Sequence, residues 1–373
     1  MKANNLRIVV LGLSLSSSWG NGHATTYRAL LSALAARGHD IVFLERNVPW
    51  YEDHRDLQSC SYCRLELYDN LCDLKRYRHL VQAADVVLVG SFVPDGIKVI
   101  DWVLEEARGI RAFYDIDTPV TLSSLEDDKC AYLARDQMPF LDLYLSFTGG
   151  PILRRLESRY GVKAARVLYC SVDPQLYSPK RTPKRWDIGY IGTYSDDRQV
   201  SLQRLLLDVA LQLPQKRFVV AGAGYPEWIV WPPNVDRFNH LPPGDHAKFY
   251  SQLRWTLNLT RADMIAAGFS PSVGLFEAMA CGTPVITDRW AGIEDAFDPA
   301  NEIIVAETME DVLACLNAPD KYRQKIARAG RRRALQSHTA QRRTREFELH
   351  IGEAIGKRAK PTPRTRSFAE LGT

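Results

Sequence analysis

The chain has 373 residues, a formal net charge of +4, 25% charged and 46% hydrophobic residues, ordinary globular values that argue against a disordered or a lipid-embedded chain. That length is long for one core and sufficient for two domains. No run nears the roughly 18 apolar residues a membrane span requires, and seven scattered cysteines, an odd number, do not make a disulfide framework, so the cytoplasm is the expected location.

From the N-terminus, Lys2 and Arg7 ahead of the apolar stretch 8–15 imitate a short signal peptide. The stretch passes instead into a glycine-containing loop and a helical pattern over 25–37, as a first buried parallel strand (7–13) does. Further strands are predicted over 41–45, 86–90, 112–115, 143–147 and 166–168, with helices over 75–83, 97–106 and 151–160. This alternation is that of a doubly wound parallel sheet. Cys60, Cys63, Cys72 and His54 lack the second paired-cysteine knuckle of a zinc site, and free thiols are expected.

Residues 170–184, rich in proline and polar side chains, read as a linker. A second alternating series follows, with strands over 188–192, 218–221, 255–259 and 284–287 and helices over 201–212, 243–253, 271–281 and 309–318. The expected organisation is a first Rossmann-like domain (1–172), a linker (173–184), a second Rossmann-like domain (185–336), a terminal helix (337–356) and a basic, disordered tail (357–373). The basic residues near the C-terminus read as solvated faces or as a weak peripheral contact with anionic membrane.

Ligands of open parallel sheets bind beyond the carboxyl ends of the strands. In the first half those ends carry Gly20, Asn21 and Gly22, a tight turn with exposed amides suited to a phosphate or sugar. His23 follows, whose imidazole suits either a general base or a hydrogen bond to a bound ligand. Asp117, two residues after Asp115, is the other candidate for activating a hydroxyl. In the second half, Gly192, Tyr194 and Arg198 follow one strand and Arg261 another, so that Tyr194 is placed toward a sugar and the two arginines toward a diphosphate; a structural ion pair is the lesser alternative for each arginine.

The richest segment is 270–288. Ser270 suits an N-cap, Pro271 the first helical position and Gly282 the stop. Ser270, Gly274 and Glu277 then fall on one face. Free amides at the helix start, with Ser272 and Val273, favour a diphosphate. Gly274 permits close approach, and Glu277 lies about 10 Å along the axis, where a carboxylate accepts both ribose hydroxyls.

The run from Glu277 to Val285, Glu-Ala-Met-Ala-Cys-Gly-Thr-Pro-Val, resembles the Glu-Ala-x-Ala-x-Gly-x-Pro-Val signature of GT-B glycosyltransferases. Arg261-Ala-Asp-Met264, Ser270-Pro-Ser272, Asp187 to Arg198, Asp115-Ile-Asp-Thr-Pro-Val-Thr121 and Ser146 to Pro151 are similar to the spore-maturation CgeB-type branch, over about residues 6 to 350. The resemblance implies an α/β GT-B fold, two Rossmann-like domains across a cleft, with the C-terminal helix crossing back to the first. It implies transfer of a sugar from a nucleotide-diphosphate donor, with UDP the expected carrier, to a glycan, lipid, protein or small-molecule acceptor. No metal, other cofactor or nucleic acid partner is implied. His240 and Leu241 occupy the place where related enzymes hold the nucleobase. One departure stands out: Phe269 occupies a position that is Glu in many retaining relatives. Three other readings are open: a non-catalytic nucleotide-sugar binder in surface or spore-coat assembly, a nucleotide-sugar epimerase, and a nicotinamide-dependent oxidoreductase prompted by Glu45 at the second strand.

Overall fold

The computed structural model describes residues 5–19, 22–57 and 59–359. Gly20, Asn21 and the tail from residue 360 lie outside the described residues.

Apolar runs buried on both faces build the first sheet, as a parallel sheet between helices demands. Its strands are β1 (Arg7–Gly12), β2 (Asp40–Arg46), β3 (Arg64–Tyr68), β4 (Val86–Gly90), β5 (Ile110–Asp115), β6 (Leu143–Ser146) and β7 (Ala165–Val167), in the order β3-β2-β1-β4-β5-β6-β7, all parallel. Side chains alternate between two cores. Ile8 and Val10 join Leu30, Leu34 and Phe43 on one face, and Val9 and Leu11 join Val99, Val103 and Phe113 on the other.

The second sheet comprises β8 (Trp186–Ile191), β9 (Phe218–Ala221), β10 (Val235–Phe238), β11 (Leu253–Asn258), β12 (Val285–Thr287) and β13 (Ile304–Val305). They run in the order β10-β9-β8-β11-β12-β13, again all parallel. Both orders reverse at the first strand of the domain, which opens a crevice between β1 and β4 and between β8 and β11, where ligands of such sheets settle.

The strands that the pattern did not predict sit at or toward the edges. In β3, Arg64 is exposed and Leu65, Glu66 and Leu67 are half-buried; β10 carries exposed Arg237 and Phe238. Strands with so little burial lack the continuous apolar run that marks the central ones. The helix Thr118–Glu126 was also unpredicted, because its Thr-Pro-Val-Thr start is poor in helix formers. The helix expected over 201–212 starts earlier, at Asp196, where two acidic residues favour the helix start, and runs to Gln212 through a π-turn over Gln203–Leu207.

The chain crosses between the domains twice. Residues 170–185 lead out of the first, and the helix Asp320–Ser337 gives way at His338 to the helix Ala340–Ala359. The latter packs on the first domain: Phe347, Ile351 and Ala354 share a core with Leu30 and Leu34. Glu348 accepts from Arg37 Nε at 2.5 Å and lies 2.9 Å from His39 Nε2. A third contact joins the domains at the cleft. The Gly149 amide donates to the Phe269 carbonyl at 2.9 Å, and Thr148 Oγ1 lies 2.7 Å from Ser270 Oγ. The Phe269 ring is wedged between Gly150 (φ 63) of the first domain and Gly292 (φ 85) of the second, where a Cβ on either would overlap it.

Candidate active site in the interdomain cleft

The loop after β1 is fixed by Glu45, a fully buried carboxylate at the end of β2. It accepts from the Leu15 amide (2.7 Å), the Ser16 amide (2.9 Å) and Ser16 Oγ (2.6 Å). Its hydrogen-bonding capacity is thus spent on the loop, which removes the basis for the nicotinamide reading. Asp56 ties the same loop to residues 54–57, accepting from Ser18 Oγ and Arg28 Nη2, each at 2.6 Å. Burial raises the Asp56 pKa, but these hydrogen bonds outweigh it and hold the carboxyl down at about 2. Beside them Trp19 stacks on His54 with ring centroids 4.3 Å apart.

His23 opens the helix His23–Ala35, and Asp117 stands at the N-cap position of the helix Thr118–Glu126 after β5, its side chain free of any capping bond. Although 94 residues apart, they meet, with His23 Nε2 2.7 Å from Asp117 Oδ2. The histidine side chain is 8% exposed and the carboxylate 34%, so Asp117 is the member open to solvent. Asp115 lies behind the pair, fully buried, accepting from the Tyr144 hydroxyl (2.5 Å), Thr121 Oγ1 (2.7 Å) and the Asp117 amide (3.2 Å). Burial pushes its carboxyl up to about 6 against the pull of those hydrogen bonds. It fixes the turn that presents Asp117. Phe92, in a left-handed backbone conformation (φ 59), sets its ring edge-on to His23 at 5.8 Å.

Between the domains lies a cavity of about 650 Å³, walled on the second-domain side by His240, Leu241, His246, Tyr250, Ser272, Val273, Gly274 and Glu277, and on the other by Ser18, Trp19, Gly22 and His54. The helix at its floor is Val273–Ala280, with Ser272 at the N-cap and no side-chain cap, which leaves its first amides unpaired by any side chain. This corrects the expected start at Ser270. Ser270 is buried, bonded to Thr148 Oγ1 and the Gly268 carbonyl, and belongs to the interdomain contact rather than to the cavity wall. With its hydroxyl engaged by Thr148 and the Gly268 carbonyl, Ser270 caps no helix, and the extended Ser272 (ψ 143) takes the N-cap position two residues on.

A Cβ on Gly274 would meet nothing nearer than 3.6 Å, the Tyr250 hydroxyl. Packing within the protein therefore does not demand glycine there, and the open space lies on the ligand side. Glu277, three residues on, is 6% exposed. Burial, the Glu277 charge and a hydrogen bond to it all push the Tyr177 phenol pKa upward, so this tyrosine from the linker stays a neutral donor to the carboxylate.

Arg198 lines a small adjoining pocket of about 60 Å³ with Ser272 and Gly274, held by Ser195 Oγ (2.8 Å) and the Thr193 carbonyl (2.7 Å). Three expected residues stand off the cavity wall. Arg261 is exposed at the start of the helix Ala262–Ala267. The Tyr194 hydroxyl donates to Asp196 at 2.5 Å, with its ring against Tyr225 and Trp228. The Gly192 carbonyl accepts from the Tyr225 hydroxyl at 2.9 Å. His23 and Asp117 also lie outside the wall of this cavity, on the first-domain side. The sequence reading missed His246, Tyr177, Tyr250 and Trp19. Trp19 was legible as a neighbour of the glycine-rich turn, whereas the others depend on which faces of a linker and a helix meet Glu277.

Residues 198–348 match a family model described as glycosyl transferase-like. Comparison with curated protein sequences returned no match. Among solved structures, the chain is similar to a sucrose-phosphate synthase from Thermosynechococcus elongatus, with a TM-score of 0.66 and 14% identity over 94% of this chain and 100% of that one. HepE of Anabaena, in complex with UDP and glucose, gives a TM-score of 0.69 and 12% identity over 94% and 100%. The catalytic domain of starch synthase IV from Arabidopsis thaliana, bound to ADP and acarbose, gives 0.63 and 11% over 95% and 100%. The architecture is thus the GT-B fold, and its second domain carries a glycosyl transferase-like region.

Proposed function

We propose that the protein transfers a sugar from a nucleoside diphosphate donor, UDP-linked by preference, to a hydroxyl of an acceptor seated against the first domain. The observation that carries this reading is the buried Glu277 carboxylate in the cavity wall, one helical turn from the uncapped start of Val273–Ala280. That spacing matches a ribose joined to a diphosphate: the amides and Arg198 take the phosphates, and Glu277 takes the sugar hydroxyls. The family match over residues 198–348 and the likeness to structures holding UDP or ADP support the same reading. The segments 115–121 and 187–198 favour the CgeB-type branch.

The His23–Asp117 pair supplies the chemistry. The acceptor oxygen attacks the anomeric carbon, its proton passes to the Asp117 carboxylate, and His23 holds that carboxylate in place. The bond from the anomeric carbon to the diphosphate oxygen breaks, and its electron pair leaves with the diphosphate. Arg198 and the helix amides stabilise that charge, the work a metal ion performs elsewhere. The Phe269 contact brings the donor loop to the acceptor domain and so sets the distance between the reacting groups.

The test is thermal stabilisation by UDP, GDP, ADP and dTDP, followed by diphosphate release from the matching nucleotide sugars. A selective shift with slow release to water supports the reading. No shift with any nucleotide would sink it, and tight binding without turnover on any acceptor would leave a binding protein instead.

A further inference from the structure

The loop between β4 and the helix Gly96–Glu106 carries backbone strain beside the catalytic pair. Phe92 (φ 59) and Asp95 (φ 55) both adopt the left-handed conformation, which costs stability in residues other than glycine. Burial does not recover that cost at Phe92, which is 39% exposed. The ring is nonetheless fixed. It packs on Tyr132, with centroids 4.6 Å apart, and stands edge-on to His23. The Tyr132 hydroxyl lies 2.8 Å from Thr121 Oγ1, which donates to Asp115, and Asp115 in turn accepts from the Asp117 amide. Ser91, one residue before Phe92, accepts from the Ile116 amide at 3.2 Å and has its hydroxyl oxygen 3.5 Å from Asp117 Oδ2. The loops after β4 and β5, two neighbouring strands, therefore hold an open aromatic ring and the Asp117 carboxylate in one rigid network.

The chemistry around the ring narrows what rests on it. The Asp117 carboxylate, 34% exposed, repels an anionic acceptor such as a phosphorylated lipid. Arg46, which bonds this loop, is neutralised by Asp95 at 3.0 Å. A long alkyl chain needs continuous apolar surface, whereas here Asp95 and Asp117 are open to solvent together with Phe92. A neutral pyranose matches the arrangement, because its C–H face is apolar and lies flat on an aromatic ring while its hydroxyls project from the rim and donate to a carboxylate. We propose that Phe92 is the stacking platform for a carbohydrate acceptor, set so that one hydroxyl of the stacked ring meets Asp117. This rests on the nucleotide-sugar reading above and names the class of acceptor.

The experiment measures transfer from the nucleotide sugar selected by its diphosphate release to the methyl glycosides of glucose, galactose, mannose and N-acetylglucosamine. Decanol, phenol and a serine-containing peptide represent the other acceptor classes, and UDP binding is titrated on the same preparations. Wild type should glycosylate a methyl glycoside in preference to the other three. Phe92→Leu and Phe92→Gly should raise the acceptor KM about tenfold, the size of a lost aromatic contact, with UDP affinity unchanged, and Phe92→Tyr should restore it. Glycine adopts the left-handed conformation without strain, so its melting temperature separates loss of the ring from loss of the fold. An acceptor KM that stays the same in the leucine and glycine variants overturns the platform, as does a loss that falls on kcat and melting temperature alone. Preference for decanol, phenol or peptide, or UDP binding with no methyl glycoside used, overturns the carbohydrate class. Failure to bind any nucleotide overturns the nucleotide-sugar reading instead.

Discussion

Replacing Glu277 by Ala or Gln isolates the group on which the functional reading turns. The carboxylate is 6% exposed, faces the cavity, and has Tyr177 as a donor. Hydrogen bonds to a charged group contribute about 1.5–3 kcal/mol each. Loss of the charge removes one such bond to ribose outright and weakens a second, about 3 kcal/mol together, or roughly 100-fold in affinity. At a nucleotide concentration 100 times the wild-type Kd, binding adds about 2.7 kcal/mol to wild-type stability; for a variant 100-fold weaker the same concentration adds only about 0.4 kcal/mol. Thermal melting with and without UDP reads that difference directly. Ligand-free Glu277→Gln should melt close to wild type because it keeps an acceptor for the Tyr177 phenol, whereas Glu277→Ala should lose about 1–3 kcal/mol by leaving that donor unpaired. Pyrophosphate, which has no ribose, should bind wild type and variant alike. Equal UDP stabilisation in wild type and variant, or equal losses for UDP and pyrophosphate, would refute the reasoning.

Asp117→Asn should slow diphosphate release about 10²–10⁴-fold, the range of a lost general base, and leave UDP affinity within twofold; initial rates and calorimetry on the same preparation separate the two, and unchanged turnover would remove Asp117 from the mechanism. Gly150→Ala forces a side chain into a φ of 63 and into the Phe269 ring, a strain of about 1–3 kcal/mol. Small-angle scattering should show a larger radius of gyration as the interdomain contact opens, and an unchanged radius and melting temperature would count against a closed clasp. Asp115, whose folded pKa of about 6 lies above its ordinary value of 3.8, holds its proton more tightly in the native state. Its contribution is therefore fully present below the lower value and is lost as pH rises through about 6, a loss of about 3 kcal/mol. Asp142 has the opposite sign: burial raises its pKa, but hydrogen bonds from Arg111 and Lys163 bring it down to about 2, so its contribution is lost as pH falls from about 4 toward 2. Urea melts of wild type and Asp115→Asn at pH 4.5 and 7 should show the first slope vanish in the variant; parallel profiles would contradict the assignment.

The central strands were legible because burial on both faces leaves nothing but apolar residues in β4, in β9 and in β1 after Arg7, a local signal that needs no partner to be read. Edge strands such as β3 were not, since half-solvated residues alternate too weakly to stand apart from loop. The same division holds in the site. Glu277 and Gly274 share a face by helical periodicity alone, and their spacing from the helix start is set by the 1.5 Å rise; residue order therefore determined that a carboxylate, an open backbone and free amides lie on one line. Sequence also marked His23 and Asp117, but only as separate ends of separate strands. That they touch is decided by the sheet order, which sets β1 and β5 either side of β4 and turns both following loops to one edge. The displacement of Ser270 from helix cap to interdomain contact and the wedge of Phe269 between two glycines depend likewise on how two domains dock, and the meeting of Tyr177, His246 and Glu277 depends on how a linker and two helices pack in the second domain's core. Such contacts join residues tens to more than a hundred positions apart, and their free energy exists only once both surfaces are formed, so no local pattern records them.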